Sequence, residues 1–169
     1  MECKWLPPLY AEPDWNNYRD YEEKLYKFFC YVYFSNSMYF KDLIVRYRFH
    51  PIVDGREEVF YHLTCRDYTK EKDRMPDPGR IIRSAWARAI IENYDCSFEC
   101  CDEKPLYWAK TDSRSKKKRH MLFFQNYLVI LEEREKYFLL ITGYYVSEEY
   151  KRVGFIKDCE TFKKQKTPQ

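Results

Sequence analysis

Two long apolar segments, residues 121–132 and 137–146, constrain the fold of this chain more than any other feature. Both are rich in β-branched and aromatic residues, which are favoured in strands. Because only the charged residues 133–136 separate them, we predict that the two segments form a β-hairpin. Both halves are apolar almost throughout, which indicates central strands that helices cover on at least one face.

Three helices are predicted from apolar periodicity and from capping residues. Residues 15–34 repeat apolar side chains at three- and four-residue steps, and Asp14 can cap this helix. Asp77-Pro78 is typical of a helix start, and the apolar face that follows predicts a continuous helix to about Asn93. Ser147 and the two glutamates after it suit the first turn of a helix in the tail.

Shorter strands are predicted in the remaining segments, at residues 43–49, 57–64, 96–101 and 106–110, with a turn at Asp54-Gly55 and a polar loop at 65–77. We therefore expect an α+β fold in which helices, mainly N-terminal, pack on one side of a mainly antiparallel sheet. The 169 residues suit a single domain, residues 14–160, between an irregular N-terminal arm at 1–13 and a frayed tail at 161–169.

Composition narrows the class of protein. Aromatic residues make up 20% of the chain and glycine occurs only 4 times, which argues against disorder. The sequence has neither a signal-peptide pattern nor a membrane span, so we expect a cytoplasmic protein with no membrane partner. Its 7 scattered cysteines suit reduced thiols, and the cluster Cys96, Cys100 and Cys101 lacks a fourth zinc ligand. We expect no metal and no cofactor.

The common enzyme motifs, such as a glycine-rich phosphate loop or a His-Glu-x-x-His helix, are absent from the sequence. His62 and Arg66 are the first candidates for chemistry, at the end of a predicted strand. An imidazole can exchange a proton near neutral pH, and a guanidinium can bind phosphate through two parallel hydrogen bonds, that is, as a bidentate donor. The alternative is a hydrogen-bonded structural histidine beside a solvated arginine, and the sequence favours neither.

The densest basic segment of the chain ends at His120 and contains five cations, which are Arg114, Lys116, Lys117, Lys118 and Arg119. Clustered cations bind nucleic acids by releasing counterions from phosphates, so this basic run is a candidate RNA-binding surface. A solvated loop is the alternative interpretation. We place the basic run at the edge of the sheet, because it leads directly into an apolar strand.

Two further pairs of residues are candidates for binding RNA. Tyr144 and Tyr145 end the last strong strand, and neighbouring residues of a strand face opposite sides of the sheet, so at most one of them can lie in a given site. Arg80 and Arg83 are three residues apart on a predicted helix and could jointly meet an anion. The alternatives are packed or surface aromatic residues and a solvent-exposed helix face.

Four blocks of sequence resemble a known family. They are Phe60-Tyr61-His62-Leu63-Thr64, then Arg80-Ile81-Ile82-Arg83-Ser84-Ala85-Trp86, then residues 127–134, and finally residues 137–145, which end in Thr142-Gly143-Tyr144-Tyr145. In this order they look like the phage-associated branch of the Barnase–EndoU–colicin–RelE-like (BECR) nucleases. The resemblance covers residues 57–146. It implies N-terminal helices on an antiparallel sheet of about four strands, and a small metal-independent ribonuclease or toxin-like domain.

The resemblance further implies a cleft formed by His62, Arg80 and the block from Thr142 to Tyr145. The leading hypothesis is a toxin-like ribonuclease that cleaves RNA by attack of a 2′-hydroxyl on the adjacent phosphate, which leaves a 2′,3′-cyclic phosphate. The roles that this hypothesis assigns are acid–base catalysis by His62 with His120, charge stabilisation by Arg66, Arg80 and Arg119, and orientation or protonation of the leaving oxygen by Tyr144 or Tyr145. The expected partners are RNA and an antitoxin or immunity protein. The competing hypothesis is an inactive RNA-binding or protein-interaction module on the same fold.

Overall fold

The computed structural model describes residues 4–67, 74–96 and 104–166. A 3₁₀ turn at Trp15–Asn17, capped by the side chain of Asp14, leads into helix α1 at Tyr18–Phe34. Its buried residues Tyr21, Leu25, Phe29 and Tyr33 follow one another at intervals of four, as the sequence pattern predicts. The long N-terminal helix is therefore confirmed.

A mixed sheet of six strands forms the centre of the fold. Its strands, from one edge to the other, are β1 (Met38–Phe40), β2 (Leu43–Tyr47), β8 (Phe138–Tyr145), β7 (Tyr127–Glu133), β6 (Lys118–Phe124) and β5 (Leu106–Thr111). Neighbours are antiparallel except for β2 and β8, which run parallel. A separate two-stranded sheet consists of β3 (Cys65–Asp67) and β4 (Arg74–Pro76). The fold is α+β, with six strands in the main sheet instead of about four.

Helices cover both faces of this sheet, whereas the sequence pattern predicts them on one. The larger core lies under α1 and three short helices, α2 (Glu58–Thr64), α3 (Pro78–Ile81) and α4 (Trp86–Glu92). A smaller core on the other face joins Trp108, Met121 and Leu128 to Phe155 and Cys159 of the C-terminal helix α5 (Glu149–Lys166). The predicted tail helix therefore exists and buries the second face. It continues to Lys166, so residues 161–166 are helical and not frayed as predicted.

The apolar segment 121–132 is divided between two strands, and this corrects the prediction of one long strand. β6 ends at Phe124, and Gln125 and Asn126 form a two-residue turn in which both φ angles are positive, 50° and 60°. Such turns favour glycine or asparagine, and here a glutamine occupies the first position. The turn lacks the Asn-Gly or Asp-Gly signal, so hydrophobicity alone could not reveal it.

The segment 57–64 is helix α2 and not the predicted strand. Its β-branched and aromatic residues favour a strand, but the buried Val59, Phe60 and Leu63 are spaced for one face of a helix. Burial of this face against the larger core overrides the local preference. The turn at Asp54-Gly55 is present, with φ angles of 50° and 72°, and it closes on an isolated bridge between Val53 and Arg56.

The predicted helix from Pro78 to Asn93 is interrupted. Asp77 caps α3 as expected, since its carboxylate accepts from the backbone N–H of Arg80 at 3.1 Å. After Ile81 the chain makes successive tight turns, and α4 begins only at Trp86. The N-terminal arm packs here, because Tyr10 donates its backbone N–H to Ile82 and the Trp86 indole donates to the Pro7 carbonyl.

The sheet curls until its two edge strands approach each other. Phe40, at the end of β1, lies 6.2 Å from Tyr107 of β5 between ring centroids, although β1 and β5 are opposite edges of the sheet. The Lys41 ammonium, in the β1–β2 turn, donates to the Tyr107 hydroxyl at 2.6 Å. The strand predicted at 96–101 lies outside the described residues beyond Cys96, as does the centre of the loop predicted at 65–77.

Candidate active site

A cavity of about 190 Å³ opens beside β8, beyond the point where β2 stops pairing with it. α2 and the β3–β4 hairpin supply most of its lining, and α3 and β8 supply the rest. The lining residues are Tyr61, His62, Cys65, Arg66, Arg74, Arg80, Ile141 and Thr142. Three of the candidates from the sequence, His62, Arg66 and Arg80, are therefore brought together in this pocket, which we call the arginine pocket.

His62 is oriented by a glutamate on its own helix. Its Nε2 lies 3.1 Å from Oε1 of Glu58, one helical turn earlier, and the Glu58 side chain is 6% exposed. Burial works to raise the pKa of Glu58, but the hydrogen bond and charge of Arg74, with smaller effects of His62 and Arg48, hold it below its ordinary value. An ionised carboxylate accepts from Nε2–H, so the basic nitrogen of a neutral His62 is Nδ1.

Two arginines of the pocket are tied to carboxylates. Arg74 of β4 is hydrogen-bonded to the same Oε1 of Glu58. Arg66 of β3 donates from Nε to Oδ2 of Asp77 at 2.9 Å, while the other oxygen of Asp77 caps α3. The short β3–β4 sheet thus carries both arginines, and an acid on α2 and an acid at the start of α3 hold their guanidinium groups in place.

Arg80 differs from the other two arginines of the pocket. Its Nη1 donates to the His62 carbonyl at 2.8 Å and to the Thr142 hydroxyl at 3.4 Å, and its guanidinium lies 5.2 Å from the Tyr144 ring centroid. Thr142 in turn donates to the His62 carbonyl at 3.1 Å. Within the described ranges, no carboxylate lies within ion-pair distance of Arg80. Its positive charge is available to an anion.

The pocket therefore combines a proton-exchanging group with three guanidinium groups. Among the described groups, three guanidinium ions face the two carboxylates of Glu58 and Asp77. Guanidinium groups match the geometry of phosphate oxygens and keep their charge at every relevant pH. A phosphate ester bound here would lie beside the imidazole of His62. Such a pocket can bind a phosphodiester and move a proton next to it.

Tyr144 and Tyr145 lie on opposite sides of β8, as strand geometry requires. Tyr144 belongs to the smaller core and contacts Arg80, whereas Tyr145 packs against the larger core. The Arg83 guanidinium lies 4.0 Å from the Tyr145 ring centroid and donates to the Gly79 carbonyl. Arg80 and Arg83 thus contact different tyrosines on the two sides of β8, and they do not form a joint anion site.

His120 lies away from the arginine pocket. It is on β6, two strands from β8, which is roughly 10 Å across a sheet. It is 2% exposed, and its ring nitrogens are hydrogen-bonded to Tyr107 at 2.8 Å and Glu133 at 2.6 Å. The structure does not bring His62 and His120 into one cleft, so the expected acid–base pair is not formed.

The basic run lies in the hairpin between β5 and β6, and acids of the same sheet neutralise part of it. Lys117 and Lys118 approach Glu132 and Glu133 at 4.0 and 3.1 Å, and Arg119 approaches Asp112 at 3.4 Å. Arg114 and Lys116 have no acidic partner in the part of the chain that the structure describes. The run leads into a core strand, as predicted, but that strand is β6, which pairs on both sides and is not the sheet edge; the run contributes nothing to the lining of the pocket.

Comparison of this chain with protein-family models, with curated proteins and with solved structures finds no match. In the described ranges, no helix is both long and apolar enough to cross a membrane. The same residues contain no group of three or more His, Cys, Asp or Glu side chains that could hold a metal ion. Cys30, Cys65, Cys96 and Cys159 are free thiols.

Sequence reasoning missed Glu58, Arg74 and the role of Asp77 as a partner for Arg66. The signal for Glu58 was present, because Glu58 and His62 are spaced i, i+4 and meet on one face of a helix. In a strand the same spacing separates two residues by about 13 Å. The error in secondary structure therefore concealed the contact that orients the histidine. Arg74 carries no such signal, since it reaches the site through a hairpin.

Proposed function

We propose that this chain is a metal-independent ribonuclease whose active site is the arginine pocket. The observation that carries the proposal is the position of Arg80, a guanidinium without a carboxylate partner among the described residues, beside a histidine that a buried glutamate orients. Phosphodiester cleavage needs both parts, a cation for the charge that develops on phosphorus oxygens and a group that moves a proton.

In this proposal, RNA supplies its own nucleophile. His62 Nδ1 accepts the proton of a ribose 2′-hydroxyl, whose oxygen attacks the adjacent phosphorus. The 5′-oxygen of the next nucleotide leaves, and the product ends in a 2′,3′-cyclic phosphate. Arg80, with Arg66 and Arg74, stabilises the negative charge of the pentacoordinate phosphate. Glu58 holds the imidazole and stabilises its protonated form, as a carboxylate does beside other catalytic histidines.

A protonated His62 can return its proton to the leaving oxygen, so one histidine can serve both steps in turn. Tyr144 is the tyrosine on the Arg80 side, and we assign to it the positioning of that guanidinium. His120 and Tyr145 have no role in this proposal. The basic run remains a candidate contact for RNA outside the cleavage site, chiefly through Arg114 and Lys116.

The resemblance to phage-associated BECR nucleases agrees with this proposal in placing His62, Arg80 and Thr142 around one cleft. On this basis we propose RNA as substrate, and an antitoxin or immunity protein as the partner that a toxin-like ribonuclease requires. The second candidate function is RNA binding without cleavage. It is favoured by one observation: His62 is the single histidine among the described residues that line the pocket.

The decisive experiment incubates the purified chain with single-stranded RNA in the presence of EDTA. We expect cleavage and a 2′,3′-cyclic phosphate at the new ends. His62→Ala should lower the rate by about 10²- to 10⁴-fold, the usual contribution of a positioned acid–base group.

The matched control is His50→Ala, which removes an exposed histidine outside the pocket and should leave the rate unchanged. Binding of RNA without cleavage would support the second candidate function. Equal cleavage by the wild type and a folded His62→Ala variant would reject His62 as the acid–base group.

A further inference from the structure

Four polar side chains form a continuous hydrogen-bonded chain where the two edges of the curled sheet meet. Lys41 Nζ lies 2.6 Å from the Tyr107 hydroxyl, which lies 2.8 Å from His120 Nδ1. His120 Nε2 lies 2.6 Å from Glu133 Oε2. The four residues come from the β1–β2 turn, β5, β6 and the end of β7. We call this group the tyrosine relay, and the arginine pocket uses none of its members.

The direction of each hydrogen bond in the tyrosine relay follows from the ionised state of Glu133. The hydrogen bond from His120, together with the charge of Lys118, holds the pKa of Glu133 below its ordinary value, so Glu133 is an ionised acceptor. His120 therefore donates from Nε2, and its Nδ1 accepts the proton of the Tyr107 hydroxyl. The Tyr107 oxygen also accepts from the ammonium of Lys41. Each donor in the chain thus points from the lysine towards the glutamate.

His120 is in the state that a base needs. Burial lowers its pKa, and the charges of Lys41 and Lys118 act in the same direction, while the hydrogen bond to Glu133 opposes them. Burial also raises the pKa of Tyr107, against the charge of Lys118. At neutral pH the phenol is therefore protonated and the imidazole is neutral. The aromatic rings that pack against His120 are Phe40 and Phe138. The charged groups near it are the other members of the relay and Lys118, which pairs with Glu133.

The lysine is held at the phenol by an unusual turn. β1 and β2 are joined by Lys41 and Asp42 alone, with φ angles of 47° and 64°, and neither residue is glycine. Residues other than glycine pay a conformational cost in this region of φ. The turn places Lys41 Nζ 4.1 Å from the Tyr107 ring centroid as well as on its hydroxyl. A cation therefore lies next to the one oxygen that His120 can deprotonate.

We propose that Tyr107 is a nucleophile that accepts an acyl group from an activated ester, with His120 as its base, Glu133 as the positioning residue and Lys41 as the stabilising cation. A nucleophile, a base within hydrogen-bond reach and a third group that orients the base are the parts that covalent acyl transfer requires. The proposal is independent of the ribonuclease proposal, since the two sites share no residue.

The reaction balances without a cofactor. The Tyr107 oxygen forms a bond to the carbonyl carbon of the ester as its proton passes to His120 Nδ1. Lys41 stabilises the oxyanion of the tetrahedral intermediate. The bond from carbon to the leaving oxygen then breaks, that oxygen takes the electron pair, and the proton on His120 is released to it or to water. The products are O-acyl-Tyr107 and the free alcohol or phenol.

The test uses p-nitrophenyl acetate on the intact chain, followed by proteolysis and mass spectrometry of each acetylated tyrosine. We expect acetyl on Tyr107 and a stoichiometric burst of p-nitrophenolate. Tyr31 and Tyr150 are internal controls, because they are 73% and 72% exposed and exposure alone would favour them. Positioned base catalysis should make Tyr107 react roughly 10²-fold faster than either.

Variants separate activation from a purely structural role in joining the sheet edges. Tyr107→Phe should abolish the burst, and Lys41→Met should slow it. Glu133→Gln removes the carboxylate that raises the pKa of His120, so the rate should fall and the acid limb of the pH profile should move to lower pH. A structural contact alone would not move that limb.

The wild-type measurement by itself can overturn the proposal, whether or not any variant folds. If Tyr31 and Tyr150 are acetylated as fast as Tyr107, the relay does not activate the phenol. Acetylation of Lys41 in place of Tyr107 would also overturn it, because the nucleophile would then be the amine, whose pKa burial and Lys118 lower.

Discussion

The arginine pocket and the tyrosine relay each contain a histidine bound through Nε2 to a glutamate, yet the two sites suit different chemistry. In the pocket, the His62–Glu58 pair is made within one helix and borders a cavity with three arginines. In the relay, the His120–Glu133 pair is made between strands, and the other ring nitrogen meets a tyrosine. One histidine adjoins space for a ligand, and the other adjoins the phenol of a tyrosine.

The comparison shows that a histidine–carboxylate pair does not define a function until its surroundings are known. Glu58 is 6% exposed and shared with Arg74, so the pocket has a buried carboxylate that binds both the histidine and an arginine. Glu133 is 39% exposed and shared with Lys118. The first arrangement favours an anionic ligand, while the second orients a base towards a phenol.

The largest expected effect is a double dissociation between the two sites. His62→Ala should lower RNA cleavage by about 10²- to 10⁴-fold and leave acetylation of Tyr107 at the wild-type rate. Tyr107→Phe should remove acetylation and leave RNA cleavage unchanged, because Tyr107 does not line the pocket. Both assays are run on both variants. If either substitution impairs both reactions while the fold is intact, the two sites are coupled and the comparison fails.

The sequence predicted the parts of the molecule that depend on local pattern. α1, the Asp77 cap of α3, the β7–β8 hairpin and the tail helix all follow from periodicity, capping or β-propensity. It also selected His62, Arg66 and Arg80 as candidates, and these three lie in one pocket. It could not predict α2, because tertiary burial overrides the strand preference of Val59, Phe60 and Tyr61.

The tyrosine relay lay beyond sequence reasoning for a different reason. Lys41 and Tyr107 are 66 residues apart and lie on opposite edges of the sheet. Their contact depends on how far the sheet curls, which no local pattern encodes. The pairing of His120 with Glu133 likewise depends on the turn at Gln125 and Asn126, which was not predicted. Contacts that depend on the register and curvature of several strands appear only in the folded chain.

Gly143, next to Thr142 of the pocket, should not tolerate a side chain. A Cβ there would lie 2.7 Å from the hydroxyl oxygen of the buried Tyr127 and 3.0 Å from its Cε1. Gly143→Ala should therefore destabilise the fold by about 1–3 kcal/mol, the usual cost of overpacking a core. Chemical denaturation measures this loss in the free energy of unfolding.

The control is Gly154→Ala in α5, where a Cβ would meet nothing within 4 Å. It should be neutral or stabilising by up to ~1 kcal/mol, because alanine favours a helix more than glycine does. If Gly143→Ala is equally harmless, then β8 can shift beside the pocket and the position of Thr142 is not fixed by packing.

The two glutamates should differ in how they affect stability. Glu58→Gln should lower the free energy of unfolding at neutral pH by roughly 1–2 kcal/mol, because a buried hydrogen bond to a charged group is weakened. Glu133→Gln should cost less than about 1 kcal/mol, since its carboxylate is partly exposed. Denaturation at pH 7 checks the order, and an equal loss in both variants would contradict it.

The pH dependence of stability tests whether folding lowers the pKa of Glu58. Its folded pKa lies below the ordinary value, so the stability it contributes is present above the pKa of the unfolded chain and is lost as pH falls through the folded pKa. The decline of stability in acid should therefore be shallower in Glu58→Gln than in the wild type. A parallel decline would mean that Glu58 does not titrate differently in the two states.

The smallest expected effect compares the basic run with the arginine pocket as surfaces for RNA. Each neutralised phosphate steepens the salt dependence of affinity by about 0.7 log units on a single strand. Lys117 and Lys118 already face Glu132 and Glu133, which leaves Lys116 as the lysine of the run without an acid in the described ranges. Replacing all three lysines by alanine should thus flatten the slope by the contribution of one phosphate, about 0.7 log units. Arg80→Ala alone should flatten it by the same amount.

The measurement is a salt titration of affinity for a 2′-O-methyl single strand, which cannot be cleaved through its 2′-oxygen. If the triple variant flattens the slope by about two units, all three lysines contact phosphates and the acids of β7 do not neutralise them. If it leaves the slope at the wild-type value while Arg80→Ala flattens it, RNA binds at the pocket and the basic run is a solvated loop. Because a single pocket arginine would then exceed three surface lysines, although Lys116 has no acid partner in the described ranges either, this outcome would show that a position in the pocket decides the contribution of a cation to RNA binding more than the local density of cations does.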